Sequence, residues 1–231
     1  MIYVPSNQIG DLLKIDSLQT ALHKGFGQTC SIPSSAIFTP PRLHLNAPLG
    51  VTLIKPSMIT STTTATTTTA TTTTLGLKIV SVRTDNSPYN VSNVPSSIFM
   101  IDSTTGAVSH VLPGDLITAR RTAGAAGVAT SVMHAKHDNA PLTCLIYGAG
   151  IQGEEHARVM IAVRPEITKV VIVNRSRPRL DKLTTLLKQE AQYSKVEFVG
   201  LLESEEDLID GFLSSADVVC CCVSRISGEE R

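Results

Sequence analysis

The hydrophobic rhythm of the chain changes near residue 140. Beyond Pro141, short apolar runs rich in β-branched residues alternate with stretches whose apolar positions recur at helical spacing. This pattern predicts strands at 143–147, 169–174, 196–200 and 217–223, with helices at 151–163, 179–192 and 205–214 between them. Apolar strands separated by helices indicate a parallel sheet covered on both faces. Before Pro141 the pattern is mixed. "DSLQTALHKGF" has helical spacing with Asp16 or Ser17 as a cap, and "RLHLNA", "GVTLIKP" and "LGLKIVSV" read as strands. "SSIFMIDSTTGAVSHVL" reads as two strands around an Asp-Ser-Thr-Thr-Gly turn, and residues 116–136 as a long alanine-rich helix. The expected fold class is α/β: an N-terminal α+β domain over 1–138, then an incomplete Rossmann-type doubly wound sheet over 139–231. His137-Asp138-Asn139-Ala140-Pro141 marks the expected boundary.

One stretch has no periodicity at all. Residues 60–74, "TSTTTATTTTATTTT", contain twelve threonines in fifteen positions and no charge. Threonine favours strands, but nothing here marks a face for burial, so the expectation is a flexible loop insertion. A fold tolerates such a loop, because each doubling of its length costs only about 0.6 kcal/mol.

Composition narrows the partners. Lysine plus arginine and aspartate plus glutamate both total 20, so no global field draws nucleic acid or an anionic membrane. No apolar run approaches the roughly 20 residues of a membrane span, and the N-terminus lacks a signal-peptide pattern. The expectation is a soluble cytoplasmic protein without nucleic-acid or membrane partners. Cys30, Cys144 and the run Cys220-Cys221-Cys222 match neither zinc nor disulfide spacing, so no metal is expected and the thiols read as packing groups in a reducing compartment.

The candidate chemistry begins at Gly148-Ala149-Gly150-Ile151-Gln152-Gly153, which fits G-x-G-x-x-G directly after a predicted strand and at the start of a helix. In that context Gly148 permits the tight turn, Gly150 lets a pyrophosphate approach the backbone, and Gly153 lets helix and strand pack closely. The helix start offers unpaired amides to the phosphates. The next strand ends in Asn174-Arg175-Ser176-Arg177, where an NAD site usually carries an acid for the ribose hydroxyls. Asn174 does not repel a 2′-phosphate, and Arg175 and Arg177 can bind one through charge-assisted bonds. NADP is therefore favoured over NAD, by a factor on the order of 10 to 150 for one such bond. His156 reads as a helix-face residue. Ser224, just past the fourth strand, is placed to approach a nicotinamide, because ligands bind outside the carboxyl ends of such strands.

These motifs, together with "GLKIVSV", "IDSTTGAV", "GDLITARRTAGAAGVAT", "GAGIQGEEH" and "VNRS", resemble the ornithine cyclodeaminase/mu-crystallin family from about Pro40 to Ser224, leaving the threonine tract unmatched. The resemblance implies a substrate and dimerisation domain joined to a dinucleotide-binding domain. It also implies hydride transfer between nicotinamide and the α-carbon of an imino or amino acid, and a homodimer. Arg42 matches a substrate-carboxylate arginine, and Arg121 a second, with Arg120 the competitor if the register slips by one. Thr122 falls beside the cofactor, and Lys78 matches a lysine near the reacting nitrogen. The Asn-Arg-Ser stretch is similar to the NADP-binding mu-crystallin type.

Three activities are open to a chain of this kind: an NADP-dependent ketimine reductase or amino-acid dehydrogenase, an ornithine cyclodeaminase forming proline with NAD, and a non-catalytic NADPH-binding protein. The resemblance also implies further strands, an acidic residue and a return segment beyond Arg231. The 231 residues are accordingly expected to retain at most weak NADPH binding without substantial catalysis, with the fourth strand exposing an unpaired edge that carries three cysteines.

Overall fold

The computed structural model describes residues 1–30, 37–65, 68–133 and 140–223. The chain divides into two compact units, Met1–Thr118 and Ala119–Arg231. The division falls inside helix α3 (Asp115–Met133). The boundary expected between 138 and 139 lies outside the described residues.

The first unit is built on a seven-stranded sheet. Its elements in chain order are β1 (Ile2–Tyr3), α1 (Ser6–Leu12), α2 (Ile15–Cys30), β2 (Ile37–Phe38), β3 (Leu43–Ala47), β4 (Gly50–Ala65), β5 (Thr68–Arg83), β6 (Ser96–Ile101) and β7 (Val108–Pro113). The sheet order is β1-β7-β6-β5-β4-β2, with β3 also pairing β4. All pairs are antiparallel except β1 with β7.

The threonine tract corrects the loop expectation. β4 and β5 are each 16 residues long and pair without a break from Gly50↔Arg83 to Ala65↔Thr68. Thr60 and Thr73 sit opposite each other, with their hydroxyls 3.3 Å apart in a hydrogen bond. Apolar alternation reports which face of a strand is buried, not whether a strand forms. A ribbon extended from a registered hairpin needs only β-branched side chains that suit the pleat, and threonine supplies them.

The turn between β6 and β7 forms where "DSTTG" predicts it. Asp102 Oδ1 accepts the Thr104 amide at 3.0 Å, the Thr105 amide at 2.8 Å and the Thr105 hydroxyl at 2.9 Å. Gly106 closes the turn at φ +72°, a conformation that favours glycine. The bonds from Thr105 and Thr104 hold the Asp102 carboxyl below its ordinary pKa.

The second unit is the parallel sheet that the alternation predicts. Its elements are β8 (Leu142–Tyr147), α4 (Ile151–Val163), β9 (Ile167–Asn174), α5 (Arg177–Gln189), β10 (Glu197–Leu202), α6 (Glu206–Leu213) and β11 (Val218–Cys221). The order is β10-β9-β8-β11, all parallel, so the winding reverses between β8 and β11. Alternate side chains fill two cores. Cys144, Ile146, Val170 and Ile172 pack with Leu180, Leu183 and Leu187 of α5 on one face, while Leu145, Val171 and Val173 pack with Ile209 of α6 on the other. Each such aliphatic side chain contributes about 1.5–3 kcal/mol on burial. That double coverage explains why these strands read as apolar runs and not as alternation. Among the described residues, no helix is long and apolar enough to cross a membrane.

Candidate functional site

The glycine turn joins β8 to α4 at the point where the sheet order reverses, the position at which open α/β sheets bind ligands. Two of its glycines are required by the protein itself. Gly148 has φ +111°, and a Cβ there would lie 2.8 Å from the Cys222 carbonyl oxygen. A Cβ on Gly153 would lie 1.9 Å from the Gly148 oxygen, so helix and turn touch only because that side chain is absent. Gly150 differs. It caps α4 with extended dihedrals, φ −101° and ψ −173°, and a Cβ would meet nothing within 4 Å. Neither strain nor packing calls for glycine at this position. The open space lies where a phosphate would approach the helix amides. Gln152, the second residue of α4, carries a buried Oε1 without a hydrogen-bond partner.

The end of β9 lies beside this turn. The Ala149 amide donates to Asn174 Oδ1 at 3.4 Å, and Asn174 Nδ2 donates to the Ser176 carbonyl at 3.3 Å. Asn174 is buried, so it acts as a strap between the glycine turn and the start of α5. Ser176 is the N-cap of α5, yet its hydroxyl makes no cap bond. Arg175 is exposed, with no hydrogen bond or ion pair to another described residue. Arg177 is placed elsewhere: its guanidinium donates to the Gly200 carbonyl at 3.2 Å and to Glu205 at 3.2 Å. Of the two arginines expected to serve one anion, Arg175 alone has no protein partner among the described residues. Gly150, Gln152, Ser176 and Arg175 together present open space, unmet polar atoms and a cation without a partner among the described residues, which fits the phosphates of a dinucleotide. Ser224 lies outside the described residues.

In the first unit, Lys78 occupies the middle of β5, opposite Lys55 on β4 and Ile98 on β6. Its ammonium donates to Thr118 Oγ1 at 2.5 Å. Thr118 in turn donates to the Gly114 carbonyl and contacts the Ser96 hydroxyl at 3.0 Å. Ser96 is tied to Asp115 Oδ1 through its amide at 2.7 Å and its hydroxyl at 3.2 Å. Arg42, just before β3, is exposed and has no hydrogen bond or ion pair among the described residues.

Arg120 and Arg121 differ in their surroundings through a residue that the motif reading passed over. Glu155 is 1% exposed on α4 and accepts two bonds from Arg120, Nε at 2.7 Å and NH2 at 3.0 Å. Arg158 reaches the same carboxylate at 3.4 Å and also pairs with Glu154 and Glu190. Burial lowers the Arg158 pKa, but the bonds to Glu190 and Glu154 outweigh it and hold the group above its usual range. Arg120 is thus committed to neutralising a buried charge. Arg121 is exposed, has no such partner among the described residues, and is shifted down by desolvation while remaining charged. Half-buried Thr122 follows it on the same helix. Glu155 had one signal in the sequence: it sits among Gly153, His156, Ala157 and Met160, which helical spacing turns inward, and an acid there needs a cation. His156 is buried, with Nδ1 2.8 Å from the Gln152 carbonyl, as a packed helix-face residue.

The thiols lie next to the glycine turn. Cys144 and Cys220 share one core, joined by a hydrogen bond that raises the Cys144 pKa and lowers that of Cys220. Burial pushes Cys222 up to about 12. Among the described residues, no three His, Cys, Asp or Glu side chains are grouped to hold a metal ion.

Comparison with known proteins agrees with this architecture. The profile of the ornithine cyclodeaminase/mu-crystallin family matches residues 58–223. An uncharacterized cyclodeaminase of Dictyostelium discoideum is 32% identical over 156 residues, covering 65% of this chain and 42% of that protein. A Δ1-pyrroline-2-carboxylate reductase of Bacillus cereus is 29% identical over 145 residues, covering 63% and 41%. The chain therefore spans about two fifths of the length of these relatives. The same fold occurs in the Thermococcus litoralis Δ1-pyrroline-2-carboxylate reductase, solved with NADH and L-proline, at a TM-score of 0.75 and 20% identity over 96% of this chain and 61% of that one. The match runs from Met58, within β4, past the end of β11 and includes both Lys78 and the glycine turn: the chain belongs to the ornithine cyclodeaminase/mu-crystallin family.

Proposed function

We propose that this chain is part of an NADP-dependent oxidoreductase that passes hydride between nicotinamide and the α-carbon of an imino or amino acid, of the ketimine reductase or amino-acid dehydrogenase type. The Bacillus and Thermococcus relatives support that class of chemistry. The preference for NADP rests on a single observation: β9 ends without a carboxylate, and Arg175 and the Ser176 hydroxyl stand beside the glycine turn with no protein partner among the described residues. Gly148, Gly150, Gln152 and Gly153 would hold the pyrophosphate, while Asn174 sets the spacing to a 2′-phosphate held by Arg175 and Ser176. Arg177 contributes through the Glu205 pair that steadies the start of α5. When bound, the nicotinamide supplies or accepts the hydride. On the second unit, Arg121 offers a guanidinium for the substrate carboxylate, with Thr122 beside the cofactor. On the first unit, Arg42 offers another cation, and Lys78 holds a proton for the substrate nitrogen. The full assembly is proposed as a homodimer.

Titration of the 231-residue chain with NADPH and NADH, followed by nucleotide fluorescence, tests this reading. NADPH should bind tighter by a factor on the order of 10 to 150, and Arg175→Asp should narrow or invert the difference. Equal affinities in the unmodified chain would overturn the 2′-phosphate assignment.

A further inference from the structure

Lys78 does not stand alone on its strand, and the groups around it suggest how its ammonium is aimed. The Gly114 carbonyl can only accept, so the one proton of the Thr118 hydroxyl is committed to it. The lone pairs of Thr118 Oγ1 are then turned to donors, and Lys78 Nζ is one of them, at 2.5 Å. Ser96 Oγ, 3.0 Å away, approaches the same oxygen. Asp115 anchors Ser96 through its amide and hydroxyl. This fixes the chain of bonds at the junction of β6 with the first turn of α3. Gly114 makes the approach close: a Cβ there would lie 2.6 Å from Ser96 Oγ.

We propose that Thr118 is a positioning residue for Lys78, with its hydroxyl oriented by the Gly114 carbonyl and with Ser96, held through its amide by Asp115, in contact beside it. The role rests on the reading of Lys78 as the proton-holding group of the proposed reaction. A threonine hydroxyl titrates far outside the working range, so Thr118 neither takes nor gives a proton in turnover. It selects one direction for a side chain that otherwise samples many rotamers. Lys55, the cross-strand neighbour of Lys78, makes such restraint consequential, because two ammonium groups on adjacent positions repel and would splay apart without a fixed acceptor.

The experiment compares Thr118→Val, which keeps the shape and removes the hydroxyl, with Thr118→Ser, which keeps the hydroxyl. Lysines of the 231-residue chain are reductively methylated with labelled formaldehyde, and the Lys78 signal is assigned by its loss in Lys78→Arg. Its chemical shift is then read by NMR, and reduction of Δ1-pyrroline-2-carboxylate by NADPH is measured in parallel with the same substitutions in the whole protein of which this chain is part. In the unmodified chain and in Thr118→Ser, the Lys78 signal should stand apart from the solvent-exposed lysines. In Thr118→Val it should merge with them, while kcat falls by about 10- to 100-fold at unchanged NADPH affinity. An unmoved Lys78 signal in Thr118→Val, or equal displacement in the serine variant, overturns the positioning role. If the whole protein reduces no imine, the proposed function fails, and the NMR comparison still decides the inference about Thr118.

Discussion

At the scale of single residues, the three motif glycines separate by what each one avoids. Gly148 and Gly153 serve the backbone, whereas Gly150 leaves space that no protein atom occupies. The two kinds of glycine should respond differently to the same added methyl. Gly153→Ala pushes a Cβ against the Gly148 carbonyl and should destabilise the second unit by about 1–3 kcal/mol or more. Gly150→Ala meets no atom and should change stability by less than about 1 kcal/mol, the scale of an N-cap change, while weakening NADPH binding. Thermal melts and nucleotide titrations on both variants check this. Equal losses of stability would mean that the open space at Gly150 is not real. The same residue-scale logic separates Arg120 from Arg121: one neutralises buried Glu155, and the other has a guanidinium without a protein partner among the described residues.

At the scale of elements, the β6–β7 turn is held by one carboxylate. Asp102 has a folded pKa below its ordinary value of 3.8, because the Thr105 and Thr104 bonds favour the charged form. The unfolded chain therefore binds the proton more readily. The stabilisation is present above the unfolded value and is lost as pH falls through the folded one. Amide exchange at Thr104 and Thr105 should accelerate beyond its intrinsic pH trend as pH falls below the ordinary carboxyl value of 3.8. Asp102→Asn should remove that pH dependence. An exchange profile identical in the variant would show that the turn does not depend on the charge. The threonine ribbon behaves differently, since its cross-strand hydroxyl bond at Thr60 and Thr73 carries no titrating group.

At the scale of the whole molecule, the first unit carries an unburied apolar face. Strand register places Leu43, Ile54 and Ile79 in one row and Leu77, Phe99 and Val111 in another on the same side of the sheet, and none of the six is buried. Leu43 is exposed and the other five are partly buried, so the face keeps apolar surface that a partner can cover. Its proposed occupant is a second copy, whose identical sheet has the same shape. Light scattering at increasing concentration should show a dimer. Leu43→Lys combined with Leu45→Lys should leave a folded monomer, because both leucines are more than half exposed in the single chain, at 59% and 54%. A dimer unaffected by the double change would move the interface elsewhere.

Periodicity and turn chemistry sufficed for most of the elements. β8, α4, β9 and the "DSTTG" turn were legible because apolar runs, glycines and an Asx turn are local signals that a few consecutive residues express. The glycine motif and the missing acid at Asn174 were legible for the same reason. Other features depend on residues far apart in the chain. The pairing of Arg120 with Glu155, the bond from Lys78 to Thr118 and the diversion of Arg177 to Glu205 each join positions 28 to 40 residues apart. No local pattern encodes which of two adjacent arginines turns inward. The threonine tract marks the limit from the other side. Its composition permitted a strand, but only the register already set between Gly50–Ile59 and Thr74–Arg83 decided that it would pair, because a ladder in place lets each further residue add bonds without a new loop to close.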